Sequence, residues 1–327
     1  MGKIHKPRAG SLQFWPRKRA KKQLPRVNWK AIEKKHSGLL GFIGYKAGML
    51  SAIVQDLTPD SMTKNKQIIL PCTALEVPPI KILGVRFYKE TPFGLRVATE
   101  VLADNLDKEL KRKIKIPKEK GSAKEKLESL EKELNSYASI RLLVYSLVKK
   151  TKIKKTPDIA EIGLGGPIQE KFEFVKNNIN KELSFKDFFK KNQLVDVRGV
   201  TKGKGLAGPV KRFGISLKAH KTEKGRRRPG SLGPWHPARV TFRVAQAGQL
   251  GFFTRVSYNQ KIIDIGKGEE LHKSIPFFHH FGKINTDYVI IKGSVQGPPK
   301  RAILLTMPLR ETKKRKKENF EIIKILR

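Results

Sequence analysis

Residues 197–263 carry fifteen Lys or Arg side chains and ten glycines, whereas Glu223 is their only acid. Like charges at this density repel one another, and glycine loses more conformational entropy on ordering than any other residue. We therefore expect that the segment cannot form a compact core of its own. A ridge of phosphates would supply the missing counter-charge, and glycine would let the peptide backbone approach that ridge closely. We interpret the segment as a nucleic-acid-binding arm.

The whole chain has the same charge imbalance, with 70 Lys and Arg against 29 Asp and Glu in 327 residues and a formal net charge of +41. Few free-standing soluble enzymes are this basic. Hydrophobic residues make up 38% of the chain, and a chain of this length can still bury a core in one or two domains. We expect a modest core that carries basic extensions.

Cys72 is the only cysteine, which excludes an intramolecular disulfide and any cysteine-rich zinc site. This cysteine content suits a reducing, cytoplasmic setting. The first residues lack an apolar signal region, and no run approaches the roughly 18 apolar residues of a membrane span. We therefore expect a soluble protein without a membrane partner.

Residues 1–37 form a predicted basic N-terminal extension. The first 30 residues contain ten basic side chains and no acid, with Phe14, Trp15 and Trp29 interleaved among them. Three prolines in the same stretch prevent a long helix. A disordered, solvated segment is the alternative, but disordered segments are depleted in aromatic residues.

Short apolar runs broken by turn residues predict β-strands in residues 38–103. The runs cover residues 39–45, 50–55, 73–77, 80–88 and 95–102. Prolines fall between the runs, where a missing ladder donor costs little. An antiparallel sheet or barrel is the expected structure.

Residues 104–193 differ in composition and predict an inserted α+β lobe. Three leucines at helical spacing favour a helix over 122–135, and strands are predicted at 140–147 and 159–164. Pro167 suits the first turn of another helix. Ser184 and Asp187 have the spacing of a capping box.

Residues 194–311 return to strand and contain the long basic loop, at about 201–262. Strands are predicted at 194–200, 288–292 and 301–306, and the last two are expected to close the sheet that begins before the insertion. Residues 312–327 are predicted to be a basic C-terminal tail. The fold class that follows is mainly β with an α+β insertion.

Gly203, Gly205 and Gly208 match the GxGxxG pattern of dinucleotide-binding sites. That site requires a helix of several turns directly after the glycines, but Pro209 is followed shortly by Gly214 and by a stretch without helical periodicity. The neighbouring basic side chains instead suit several phosphates spread along a groove.

Trp235 and His236 lie in a segment bracketed by glycine and proline, which predicts a bent loop with an exposed tip. An exposed tryptophan commonly stacks on a flat group, and base stacking contributes about 1–3 kcal/mol. The alternative is a tryptophan folded back onto its own sheet. His236 has no nucleophile or acid partner nearby in the sequence, so we expect no catalytic role.

Other enzyme and metal signals are absent from the sequence. His272, His279 and His280 have no carboxylate or thiolate spacing that would support a metal site. No phosphate loop, HExxH motif or EF-hand loop occurs. We expect no catalytic residues, no cofactor, no metal and no small-molecule substrate.

Five long motifs closely resemble the family of universal large-subunit ribosomal protein three. Four of them are VDVRGVTKGKGLAGPVKRFG, GRRRPGSLGPWHPARV, GFFTRVSYNQKIIDIG and IKGSVQGPPKRAILL, which begin at residues 195, 225, 251 and 291. The fifth, HKPRAGSLQFWPRKRA from residue 5, is similar to the archaeal and eukaryotic branch of that family. The resemblance runs to about residue 309 and is looser in the inserted lobe.

The resemblance implies an antiparallel β-barrel of the translation-protein type on the subunit surface, with a long loop that threads through rRNA. It implies a loop tip near the peptidyl transferase centre, at Gly233, Trp235 and His236. The implied partners are large-subunit rRNA, including its 3′ domain, and neighbouring ribosomal proteins, with a role in early subunit assembly. The resemblance implies a structural role and a role in assembly, and no catalytic activity.

The residues we expect to bind rRNA are basic or polar side chains of the two extensions and of one later turn: Arg8, Ser11, Arg17, Lys18, Arg19, Lys202, Lys204, Lys211, Arg212, Arg226, Arg227, Arg228, Trp235, His236, Arg239, Lys300 and Arg301. Two other functions remain open from the residues alone. One is an RNA-modifying enzyme to which the arm delivers substrate, and the other is a DNA-compacting protein.

Overall fold

The computed structural model describes residues 8–117 and 122–326. The chain divides into two compact units. The basic unit consists of the leader, residues 8–22, and the arm, residues 200–255. The core unit consists of residues 23–199 and 256–326. In the described residues the fold is mainly β, with several sheets and few, short helices, as the sequence predicts.

The strands are β1 Gly38–Leu39, β2 Gly41–Asp56, β3 Gln67–Val77, β4 Ile80–Thr91, β5 Gly94–Leu102, β6 Ser139–Ser146, β7 Ile159–Gly165, β8 Glu182–Leu183, β9 Leu194–Val200, β10 Gly203–Ala207, β11 Gly248–Gly251, β12 Thr254–Lys267, β13 Asp287–Lys292, β14 Ala302–Thr306 and β15 Phe320–Leu326. The α-helices are α1 Lys30–Glu33, α2 Ala123–Glu131, α3 Ile168–Asn178, α4 Pro209–Phe213, α5 Gly268–His272 and α6 Lys313–Lys317. Short 3-10 turns span Lys108–Arg112, Leu134–Ser136, Val148–Thr151 and Phe185–Asp187.

The larger sheet of the core unit has seven strands in the order β14-β9-β12-β13-β3-β2-β15. Strand β14 also pairs with β2, so hydrogen-bonded pairing around the first six strands forms a closed cycle. Strand β13 pairs with β3, and β14 with β2. The expectation that residues 288–306 close the sheet begun before the insertion is confirmed.

A second sheet of the core unit has the order β1-β7-β6-β4-β5, with β8 paired to β4. Strands β4 and β5 therefore differ from expectation, since the sequence places them in the same sheet as β2 and β3. Pro78 and Pro79 separate β3 from β4, and the two strands have similar apolar patterns, so the sequence does not show that they enter different sheets. Strand β4 then hydrogen-bonds along its length with β5 and β6.

A helix begins at the predicted place in residues 104–193, but α2 ends at Glu131, whereas the prediction runs to residue 135. Ser122 caps α2 by accepting a hydrogen bond from the backbone N–H of Glu125 at 3.3 Å. Pro167 is the residue that precedes α3. The capping box of Ser184 and Asp187 is present, although it opens only a 3-10 turn at Phe185–Asp187.

The N-terminal extension ends earlier than residue 37. Trp29 is only 2% exposed and belongs to the hydrophobic core of the core unit, and its indole N–H donates to the carbonyl oxygen of Glu161 at 3.1 Å. A Cβ on Gly41 would lie 2.8 Å from this ring, so the absence of a side chain there makes room for it. Burial of this large aromatic surface fixes the chain before α1.

The C-terminal tail also differs from a purely basic extension. Lys313–Lys317 form α6, and Phe320–Leu326 form β15, which pairs with β2 from Phe320↔Asp56 to Leu326↔Ser51. The buried ammonium of Lys261 donates to the carbonyl oxygens of Arg315 and Lys316 at 3.0 and 3.2 Å. The sequence analysis missed this strand because its apolar residues follow a dense run of lysines.

The basic unit has little regular structure. Strands β10 and β11 pair as a two-stranded ribbon, and α4 follows β10 directly. Across residues 8–117 and 122–326, no helix is long and apolar enough to cross a membrane.

Candidate nucleic-acid interface

The basic unit contains cationic side chains without carboxylate partners. Its described part holds nineteen Lys and Arg residues, and Glu223 is its only acid. Every ion pair among the residues that the structure describes lies in the core unit. The positive charge of the basic unit is therefore not compensated by carboxylates within this part of the chain.

The leader and the arm pack against each other through aromatic rings. The ring of Trp15 lies 6.1 Å from that of Phe213 and 5.5 Å from that of Phe242, measured between centroids. The backbone N–H of Ala20 donates to the carbonyl oxygen of Phe252 at 2.8 Å. The arm does bury apolar side chains, and one partner of those side chains is the leader, which the sequence analysis treated as a separate extension.

Arg17 of the leader binds the arm through hydrogen bonds and ring contacts. Its Nη1 donates to the carbonyl oxygen of Arg212 at 2.8 Å, and its Nη2 donates to the carbonyl oxygen of Ser11 at 3.2 Å. The guanidinium carbon lies 4.2 Å from the centroid of the Phe213 ring and 5.2 Å from that of Trp15. Burial lowers the pKa of Arg17, and the charges of Arg212, Arg255 and Arg8 lower it further.

Arg212 is likewise bonded to the protein itself. Its Nε donates to the carbonyl oxygen of Gln249 and its Nη1 to that of Gln246, both at 3.0 Å. A Cβ on Gly248 would come within 2.9 Å of its guanidinium carbon, so a side chain there would displace the guanidinium group. Burial lowers the pKa of Arg212. Arg8 donates to the carbonyl oxygen of Arg243. These contacts tie α4 and the leader to the returning part of the arm.

The glycine motif forms a ribbon and a single helical turn. Gly205 has φ +62°, and Gly214, with φ +72°, ends α4 after five residues. Pro209 stands at the first position of that turn, where a missing N–H costs nothing. The long helix that a dinucleotide site requires does not follow these glycines.

The remaining predicted phosphate ligands of the basic unit are exposed. Within residues 8–117 and 122–326, only Arg226 of this set makes a side-chain hydrogen bond to the protein, with its Nε donating to the carbonyl oxygen of Lys218 at 3.3 Å. The exposed set is Lys18, Arg19, Lys202, Lys204, Lys211, Arg226, Arg227, Arg228 and Arg239. Ser11 is exposed, and its hydroxyl accepts from the backbone N–H of Gln13.

Every residue from 230 to 240 is exposed. Trp235 is 87% exposed, and the structure gives it no ring contact within the described residues. Ser231 bridges the turn, because its hydroxyl donates to the carbonyl oxygen of Gly233 at 3.2 Å and accepts from that residue's N–H at 3.3 Å. His236 is exposed beside the indole. The segment presents an aromatic tip to solvent.

Lys300 and Arg301 lie in the core unit, in the turn between β13 and β14. The buried ammonium of Lys46 donates to the carbonyl oxygens of Val295 and Gly297 within that turn. Lys300 is exposed, whereas Arg301 is half-buried and burial lowers its pKa. The side chain of Lys300 is therefore more accessible to a partner than that of Arg301.

The histidines that the sequence analysis considered for metal do not form a cluster with other ligands. The rings of His279 and His280 lie 3.8 Å apart and are exposed. Within residues 8–117 and 122–326, no group of three or more His, Cys, Asp or Glu side chains could hold a metal ion.

The aromatic residues that pack the leader against the arm were not predicted from the sequence to have this role. Phe213 is buried between Trp15 and Arg17, and the guanidinium carbon of Arg255 lies 4.5 Å from the centroid of Phe14. The available signal was the presence of aromatics in both extensions, since two such segments can bury their rings against each other.

Comparison with known proteins places these features in a family. The model of the family described as ribosomal protein L3 matches residues 1–325. A protein of Methanobrevibacter smithii named large ribosomal subunit protein uL3 is 42% identical over 96% of this chain and 95% of its own. Proteins of the same name from Archaeoglobus fulgidus and Methanocaldococcus jannaschii are 40% and 42% identical, over 95% and 94% of this chain and 94% and 92% of their own.

Proposed function

The chain belongs to the ribosomal protein L3 family, and on that premise we propose that its basic unit binds large-subunit rRNA and supports early assembly of the subunit. Membership makes the chain a structural constituent of the large ribosomal subunit and not an enzyme. The RNA-modifying enzyme considered from the sequence is therefore set aside.

The observation that carries the proposal is the uncompensated charge of the basic unit. Nineteen cationic side chains share one acid, and the eighteen other than Arg255 take part in none of the ion pairs of the described residues. Such a surface gains free energy when it neutralises phosphates and releases their condensed counterions. A polyanion is the partner that this charge distribution favours.

Two groups of basic residues have different roles in the proposed interface. Arg17 and Arg212 donate to backbone carbonyls and stack on Phe213, so they hold the leader and the arm in shape. The exposed cations Lys202, Lys204 and Lys211 are free to contact phosphate. The first group preorganises the backbone that carries the second, which lowers the entropy lost on binding.

The tip of the arm is proposed to approach the peptidyl transferase centre. An exposed indole between flanking glycine and proline residues suits stacking on an RNA base. The basis for this location is the resemblance of residues 225–240 to the family motif. Gly233 and His236 share the turn with Trp235 and are proposed to contact RNA with it.

The core unit is proposed to be the part that stays at the subunit exterior and contacts neighbouring ribosomal proteins. The closed cycle of six paired strands supports a barrel of the translation-protein type. Strands β6, β7 and β8 of the second sheet and helices α2 and α3 come from residues 104–193, which are proposed to form the inserted lobe together with β4 and β5. Lys300 is an exposed cation on this unit and is proposed to contact rRNA.

The experiment that tests the proposal measures the affinity of the purified chain for large-subunit rRNA, with duplex DNA as competitor. Preferential binding to structured RNA is expected, since RNA offers 2′-hydroxyls and a different helical shape. Equal competition by duplex DNA would favour the DNA-compacting alternative. A variant in which Lys202, Lys204 and Lys211 are all replaced by alanine should bind the RNA more weakly, because three proposed phosphate contacts are lost.

A further inference from the structure

We propose that the hairpin of β4 and β5 is a second RNA-contacting element, in which Phe93 stacks on an exposed base and Lys89 and Arg96 bind the adjoining phosphates. This inference rests on the proposed function, because it takes RNA as the partner. It concerns the core unit, whose second sheet neither the charge pattern of the arm nor the family motifs quoted above assign to RNA.

Phe93 is held out from the hairpin on a tight turn. The two residues of the turn are Pro92 and Phe93, between the paired residues Thr91 and Gly94. The ring of Phe93 is 91% exposed. Pro92 fixes its own φ angle, the Thr91 hydroxyl donates to the carbonyl oxygen of Gly94 at 2.6 Å, and Gly94 has φ +106°. A rigid turn presents this aromatic ring to a partner at low entropic cost.

Two cations stand directly opposite each other beneath this tip. Lys89 and Arg96 are a cross-strand pair in the register of β4 and β5. Like charges in this position destabilise a hairpin unless a counter-ion lies between or above them. Arg96 is exposed, and the Lys89 ammonium lies 5.2 Å from the centroid of the Tyr137 ring.

The carboxylates of the hairpin form ion pairs with residues other than Lys89 and Arg96. Its two acids are Glu90 and Glu100, and they pair with Lys30 at 3.0 Å and with Arg86 at 2.8 Å. Neither Lys89 nor Arg96 takes part in any ion pair among the described residues. The tip therefore combines a free aromatic face with two positive charges that have no carboxylate partner there.

An exposed ring beside two unpaired cations favours RNA, rather than a groove on another protein, as the binding partner of the hairpin. An aromatic ring flanked by cations matches a base followed by its phosphates, since the ring stacks and the cations neutralise. A protein groove that accepted Phe93 would have to supply carboxylates for both cations as well. An exposed phenylalanine with no charged neighbours would carry no such preference.

Substitution of Phe93 by alanine in the full-length chain tests the stacking contact. We expect Phe93→Ala to weaken binding to large-subunit rRNA by about 5- to 150-fold, from the stacking contribution of one base. Phe93→Trp should retain wild-type affinity. The matched control is Met62→Ala, because Met62 is 95% exposed in another turn of the core unit, between β2 and β3. Thermal unfolding should be unchanged in all three variants, since neither side chain is packed.

Substitution of both cations tests the phosphate contacts. The double variant Lys89→Ala, Arg96→Ala should reduce the slope of log affinity against log salt by about 1.4 to 1.8, which corresponds to two phosphates. Wild-type affinity and slope in Phe93→Ala and in the double variant would overturn the proposal while leaving rRNA binding by the basic unit intact.

Two other outcomes also decide the question. If Phe93→Ala keeps its RNA affinity but loses a neighbouring protein from reconstituted subunits, the hairpin is a protein contact and the proposal is wrong. If the wild-type chain fails to bind rRNA, the function proposed for the basic unit fails together with this inference.

Discussion

The guanidinium group of Arg17 lies against the ring of Phe213, with 4.2 Å between its central carbon and the ring centroid, and donates to the carbonyl oxygen of Arg212 at 2.8 Å. These residues are almost two hundred positions apart in the chain. The contact joins the leader to the base of the arm. Arg17, which the sequence predicts to bind rRNA, therefore stabilises the basic unit itself.

The first prediction concerns this contact. Phe213→Ala should remove a buried ring and destabilise the base of the arm by about 3 kcal/mol, which corresponds to a loss of about 100-fold in hydrogen-exchange protection. The measurement is amide exchange of residues 201–214 in the free protein. Arg19→Ala is the control, because Arg19 is exposed in the same leader. Unaltered protection in the Phe213 variant would show that the ring does not organise the arm.

The second prediction concerns salt. If many exposed cations of the basic unit neutralise phosphates, log affinity for large-subunit rRNA should fall linearly and steeply with log salt, by about 0.7 to 0.9 for each phosphate contacted. Filter binding or fluorescence anisotropy between low and high salt measures the slope. A flat response would contradict a phosphate-based interface.

The third prediction separates the two groups of basic residues. Replacement of Lys202, Lys204 and Lys211 by alanine should weaken rRNA binding and incorporation into subunits without changing exchange protection, because these side chains are exposed. Arg212→Ala should reduce protection as well, because its hydrogen bonds to Gln246 and Gln249 are lost. Normal incorporation of the triple variant would show that its charges are dispensable.

The fourth prediction concerns the tip of the arm. Trp235→Ala should leave the thermal unfolding of the chain unchanged, because the indole is exposed and contacts no ring in the described residues. Ribosomes that carry the variant should show slower peptide transfer or an altered antibiotic response. Leu206→Ala, at another exposed position of the arm, is the control. Peptide-transfer kinetics equal to wild type would remove the proposed role of the tip.

The fifth prediction concerns a buried carboxyl group in the core unit. Oε1 of Glu76 accepts hydrogen bonds from the backbone N–H groups of Asn285 and Thr286 and from the Thr286 hydroxyl, while Oε2 is buried without a hydrogen-bond partner within the described residues. Burial raises the pKa of Glu76 from 4.5 to about 7, although the three hydrogen bonds oppose this shift.

Because the folded pKa of Glu76 lies above the unfolded one, its contribution to stability is complete below pH 4.5 and is lost as the pH rises towards 7. Glu76→Gln should abolish this part of the pH dependence, which amounts to about 3 kcal/mol in the free energy of unfolding. Urea unfolding at several pH values measures it, with the exposed Glu269→Gln as control. Parallel curves for wild type and Glu76→Gln would contradict the assignment.

Local pattern predicted most strands outside the long loop, and resemblance supplied the family. Strands β10, β11 and most of β12 lie in the segment predicted to be a loop, and β15 lies in the predicted tail. Strand β9 spans the predicted residues 194–200, and β13 joins the sheet begun by β2 and β3, as expected, although its particular partner β3 was not predicted. Apolar alternation and turn residues act over a few positions, so the sequence displays them directly. The sheet to which β4 and β5 belong was predicted incorrectly, because both sheets draw on strands with the same apolar pattern.

The sequence by itself determined that this chain is rich in strands and carries an unbalanced positive charge in its arm, since both properties follow from composition and short-range order. Only the tertiary structure decided that Trp29 is buried in the core unit, that Phe320–Leu326 pair with β2, and that Arg17 and Arg212 bind carbonyl oxygens. The physical reason is that the partner of an arginine or an aromatic ring is set by residues far away in the chain, and no local pattern specifies which of them will come within bonding distance.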